Sequence, residues 1–152
     1  MIASTGIGKD VELLHAVELC RSGQWERGLP LLGRLAERGD RMTGLAYSYL
    51  GYGVAVSERR VAEGVKLCRH AVRVEFYQPE AWLNLARAEN LAGHRREAVA
   101  ALQRGLALDG DHPELVQLRK TMGLRRNPVL PFLARGHLLN RILGRVRHVL
   151  RG

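Results

Sequence analysis

The residues best able to do chemistry in this chain are few and scattered. Thr5-Gly6-Ile7-Gly8-Lys9-Asp10 has the glycines and the lysine of a phosphate-cradling loop. It lacks a glycine five before Gly8, a Ser or Thr after Lys9 and a preceding strand, so it reads as a leader. Cys68-Arg69-His70 brings one Cys and one His close in sequence. Two residues apart on a helix point to different faces, so these two cannot share a metal. His94 falls in a turn and His112 near a helix start, both solvated. No Ser/His/Asp ordering and no carboxylate pair stands out from helix-surface charge. The expectation is a chain with no catalytic residue, no metal and no cofactor.

What must position any working residue is a set of helices. The chain has 152 residues, 46% hydrophobic but only 5% aromatic, a balance that suits packed helices better than sheets. Cys20 and Cys68 are the two cysteines, too few for a disulfide framework, and read as small buried apolar residues. Residues 1–114 carry 15 basic and 15 acidic residues, whereas 115–152 carry nine basic and none acidic. The net charge of +9 therefore belongs to the last quarter, which predicts two regions with different work.

A phrase recurs 34 residues apart: Pro79-Glu80-Ala81-Trp82 returns as Pro113-Glu114-Leu115-Val116. Between the copies stand Trp82-x2-Leu85-Ala86, then Ala98-x3-Leu102, then Leu106-Ala107-Leu108-Asp109. By this period and pattern the chain resembles the tetratricopeptide repeat family of helix–turn–helix proteins. One repeat has helices near 79–92 and 95–108 around a Gly93-His94 turn. Another spans about 44–78, where Tyr47-x2-Leu50-Gly51 and Gly64-x3-Cys68 match if the turn near Ser57–Arg60 holds one extra residue. The most degenerate spans about 9–40, with Ala16, Leu19, a Gly23-Gln24-Trp25 turn and Gly28-x3-Leu32. Pro30 should kink its second helix or make it begin late. Residues 113–122 open a seventh helix, a cap, which Gly123 stops. The repeat at 79–108 departs from the family at Ala86, Glu89, Gly105 and Gly110, where Gly, Tyr, Ala and Pro are usual. The resemblance covers about 10–122.

The fold class expected is all-α, an α-solenoid of about three such repeats with a capping helix and a basic amphipathic C-terminal helix. The expected organisation is a flexible leader at 1–8, the solenoid at 9–123, and a Pro-containing connector with the helix at 124–152. The resemblance implies a concave groove lined by the first helix of each repeat. Its lining would be Leu13, Leu14 and Val17, then Ser48, Tyr49 and Tyr52, then Asn84, Arg87, Asn90 and Leu91. Tyr offers broad contact with a polar tip, and Asn and Arg grip backbone or carboxylate. Tyr49, Tyr52, Asn84, Arg87 and Asn90 are the candidate partner contacts. Tyr47 and one of the other tyrosines have an alternative place between helices. The subtype that clamps a terminal carboxylate is not matched, since Leu14, Val17 and Tyr49 stand where its polar residues would and only Asn84 fits.

The tail places Leu138, Leu139, Ile142, Leu143, Val146, Val149 and Leu150 on one stripe, with Arg141, Arg145, Arg147 and Arg151 largely elsewhere. Such a helix can cover the chain's own body, meet a second copy or a partner helix, or lie on an anionic membrane surface. Nucleic acid is disfavoured, because no aromatic-rich basic surface or known binding motif accompanies the charge. Met1–Gly6 shows no secretory pattern, and no run of about 18 apolar residues exists to span a membrane. The expected location is cytoplasmic, with peripheral docking at the inner face of the membrane as a variant. The expected function is a non-catalytic scaffold or adaptor holding a partner peptide or helix in the groove. Alternatives are a peripheral membrane adaptor and a secretion-type chaperone.

Overall fold

The computed structural model describes the backbone of residues 3–124 and the side chains of residues 8–124. Seven α-helices occupy the described residues: α1 Ala3–Arg21, α2 Trp25–Glu37, α3 Gly44–Ser57, α4 Val61–Val74, α5 Pro79–Leu91, α6 Arg95–Leu108 and α7 Pro113–Thr121. The chain divides into two units, Met1–Leu118 and Arg119–Gly152. The connector and the basic helix expected at 124–152 lie, but for Leu124, outside the described residues.

Turn chemistry sets the helix ends. Gly23 and Gly93 have φ values of 82° and 76°, the left-handed region that glycine enters freely, and each closes the first helix of its repeat. The extra residue expected between α3 and α4 is accommodated at Arg59, whose φ is 56°. Thr43 caps α3, its side chain accepting from Ala46 N at 3.1 Å. Pro79 opens α5 in the first turn, where its missing N–H costs nothing.

Pairing follows the repeat pattern. α1 packs on α2, α3 on α4 and α5 on α6, while α3 also meets α1, α2 and α5, and α4 meets α5. α1 and α3 thus each touch their own partner and the next first helix, the nearest-neighbour packing of a helical repeat stack. Close approach at the helix crossings depends on small residues. A Cβ on Gly64 would stand 2.4 Å from Gly51 O, and one on Gly51 would stand 2.7 Å from Gly64 O. Ala86 and Ala98 at the matching positions of α5 and α6 are fully buried. Leu32, Leu35, Leu102 and Leu115 are the largest apolar side chains wholly removed from water.

Two expectations for the first repeat change. Pro30 lies inside α2, which nevertheless begins at Trp25. Pro30 is exposed, so water can serve the carbonyl its missing N–H leaves unpaired. Helical backbone also reaches back to Ala3, into the segment expected as a leader, and Lys9 pairs with Asp40 after α2.

Both cysteines are buried at helix crossings and free. Burial raises the Cys20 thiol to about 11 and, with the nearby Glu89 charge, the Cys68 thiol to about 12. The thiolate is the reactive form. Neither thiol is therefore expected to titrate with a disulfide reagent at pH 8 until the chain is unfolded. Fast reaction of either in buffer would contradict this packing.

Candidate functional site

The side chains expected on the face of the first helices recur every three or four residues, the spacing that keeps them on one side of a helix. On α3 these are Tyr49, Tyr52 and Val56. On α5, 35 residues later, they are Asn84, Arg87 and Leu91. The structure divides the five candidate contacts into two groups.

Tyr49 and Asn84 are interior. Tyr49 is buried, and its hydroxyl donates to Glu80 Oε2 at 3.0 Å. Arg21, at the end of α1, donates to the same oxygen from Nη2 at 3.0 Å and from Nε at 3.2 Å. Burial, then the Glu80 charge and bond, push the Tyr49 phenol above its ordinary range. The Glu80 bond likewise holds the Arg21 guanidinium above its own. Asn84 is buried and donates from Nδ2 to Ser48 Oγ at 3.1 Å, while Ser48 donates to Leu45 O at 2.7 Å. These bonds tie α1, α3 and α5 together beneath the open face.

Tyr52, Arg87 and Asn90 reach solvent, Tyr52 and Arg87 in part and Asn90 more openly. The Tyr52 ring stands edge-on to Trp25 at 5.6 Å between centroids, and the Arg87 guanidinium lies 5.5 Å from its centre. Arg87 Nη2 donates to Glu114 Oε2 at 2.6 Å. Val56 and Leu91, one turn beyond Tyr52 and Arg87, are half exposed. A cleft of about 510 Å3 opens beside Tyr52. Its walls are the Gly23–Arg27 turn with the start of α2, and Tyr52, Gly53, Val56 and Ser57 of α3. In the first repeat Leu13 and Val17 are buried, and Leu14 points outward at 67% exposure.

Sequence reasoning placed Trp25 in a turn and did not see it as a wall of this cleft. It also missed the bridging carboxylates. Their signal was present in the recurring phrase itself: Glu80 accepts from Tyr49, and Glu114 accepts from Arg87, the residue one turn past the Tyr49-equivalent Asn84. Glu89, where the family usually has Tyr, is buried. Its two oxygens are taken by Arg69 Nε of α4 at 2.6 Å and His94 Nδ1 at 2.8 Å. Cys68 and His70 do point apart, since Cys68 is buried while the exposed His70 stacks edge-on against Tyr47 at 4.8 Å. Tyr47 thereby takes the place between helices. The basic-tail candidates Arg141, Arg145, Arg147 and Arg151 lie outside the described residues.

A stack of paired helices with a mixed aromatic and polar face defines a helical-repeat scaffold. Residues 79–120 match the family model of the tetratricopeptide repeat. With that match, the 34-residue phrase and the helix pairing, residues 79–120 form a tetratricopeptide repeat within a stack of paired helices. No curated protein matches the chain. Repeats of this family generally mediate protein–protein interaction and are typically non-catalytic. Among the described residues no helix is long and apolar enough to cross a membrane.

Proposed function

We propose that the chain is a non-catalytic adaptor that holds a segment of a partner protein against the open face of α3 and α5. The observation carrying this reading is the Tyr52 side chain. It is half-buried, wedged between Trp25 and Arg87, and borders the cleft of about 510 Å3. An aromatic held rigidly at the edge of a cavity loses little entropy on binding, and Tyr, Trp and Arg are the residue types that dominate interface energy. Val56 and Leu91 extend the same face with half-exposed apolar surface. Arg87 and Asn90 supply donors for a backbone or carboxylate. Tyr49 and Asn84 serve in this reading as the floor that fixes the spacing of α3 and α5.

A partner captured from cell extract is expected to bind the variant Tyr52→Ala with Arg87→Ala at least tenfold more weakly, with helicity retained, since two such contacts are worth about 1–2 kcal/mol each. Tyr49→Ala should act differently, lowering thermal stability along with binding. Full capture by the Tyr52/Arg87 variant would move the interface off this face, most directly onto the basic segment after Leu118.

A further inference from the structure

The outer face of α1 continues a series of interfaces that the rest of the stack keeps covered. A Cβ on Gly28 of α2 would stand 2.9 Å from Ala16 O, just as one on Gly64 of α4 would run into Gly51 O. Ala16 and Gly51 are therefore equivalent crossing points, 35 residues apart, and Ala86 follows after another 35. On that register Val11 of α1 corresponds to Ala46 and Ala81, and Leu14 corresponds to Tyr49 and Asn84. Ala46, Ala81, Tyr49 and Asn84 are all buried. Val11 is 60% exposed and Leu14 67%.

What covers the later pairs is the preceding repeat of the same chain. Tyr49 stands 5.8 Å from Trp25 of α2 between ring centres. A Cβ on Gly53, one turn further along α3, would run into the Leu29 side chain of α2. Asn84 of α5 bonds Ser48 of α3. No helix precedes α1 among the described residues. Two aliphatic side chains therefore stand open at the position where α3 and α5 each take a helical neighbour, and burying them is favourable.

The borders of this face suit a second face like itself. Glu18, one turn past Leu14, is bonded to Arg21 at 2.9 Å. Lys9 pairs with Asp40, and Glu12 with Arg38. The charges of α1 are thus largely neutralised within the chain, and no block of one sign opposes the approach of a second α1. Asp10 and His15 are exposed on the two flanks, where water screens them. Val11 and Leu14 lie three residues apart on one side of the helix. A two-fold axis between antiparallel helices then brings Val11 of each copy beside Leu14 of the other.

We infer that the outer face of α1 pairs with the same face of a second copy of this chain, antiparallel about a two-fold axis. A contact of a few turns of one helix falls short of the roughly 1,000 Å2 of a stable interface, so the dimer is weak and depends on concentration. This pairing is independent of the adaptor reading above. Where both hold, the dimer presents two open α3/α5 faces, and a partner carrying two copies of its segment gains avidity.

Sedimentation equilibrium of the full chain, from micromolar to millimolar concentration, is the test. A reversible monomer–dimer equilibrium is expected. Leu14→Glu changes a residue that is exposed in the monomer, so helicity and melting temperature at low concentration should stay as they are. Each substitution enters an isologous contact twice, and Leu14→Glu is expected to weaken the dimer about tenfold or more. Tyr52→Ala with Arg87→Ala should leave the dimer unchanged. A full chain that is monomeric at every concentration would overturn the inference, whatever else covers α1. So would a dimer that Leu14→Glu leaves equally strong, since the contact would then lie on another face.

Discussion

Gly64→Val is expected to lower the stability of the chain by about 3 kcal/mol. A side chain at Gly64 would place its Cβ 2.4 Å from Gly51 O and 2.6 Å from the Ala55 Cβ. The obstacle is backbone and a neighbouring helix, so no rotamer change relieves it. Any gain in helix propensity is at most about 1 kcal/mol and cannot compensate. An internal control lies in α2. Gly33 is also inside a helix, but a Cβ there meets nothing within 4 Å. Gly33→Ala should therefore stabilise, by up to about 1 kcal/mol. Chemical denaturation of the two variants checks both signs at once. If Gly64→Val unfolds at the same midpoint as the parent chain, α3 and α4 do not cross where the structure puts them.

Trp82→Ala is expected to cost about 3 kcal/mol, at the low end for a tryptophan because the ring is only partly buried. The indole spans the start of the third repeat. Its Nε1 donates to Phe76 O at 2.7 Å, fixing the turn that leads into α5. Its Cβ lies 3.2 Å from where a Gly105 Cβ would stand, and the Leu115 methyls lie 2.9 Å from that same point. Removing the ring would break the bond to Phe76 O and free the turn that leads into α5. The melting temperature should fall by about 10 °C for a domain of this size. Trp82→Phe keeps much of the bulk and loses the hydrogen bond, and should cost about 1 kcal/mol. An unchanged melting temperature in Trp82→Ala would mean that the repeat register is wrong.

The helices were legible because their punctuation is chemical. Gly23, Gly93 and Gly123 mark turns, Pro79 and Pro113 mark starts, and the small residues at Gly51, Gly64, Ala86 and Ala98 mark crossings. A recurring phrase fixed the register of α5, α6 and α7. The face of each first helix was legible too, since 3.6-residue spacing gives a direction. Depth was not. Spacing says that Tyr49 and Asn84 point toward the same side as Tyr52 and Arg87, but not what stands over them. Arg21 reaches Glu80 from 59 residues away, and Ser48 meets Asn84 across 36. No local pattern encodes such long-range pairs. Pro30 did not delay the start of α2, for a related reason: its cost depends on whether water reaches the helix at that point.

Amide hydrogen exchange on the full chain, alone and saturated with its captured partner, tests the adaptor account most directly. The account predicts added protection at residues 52–57 of α3 and 87–91 of α5, with the outer helices α4 and α6 little changed. Added protection confined to α4 and α6, or to residues beyond 118, would contradict it.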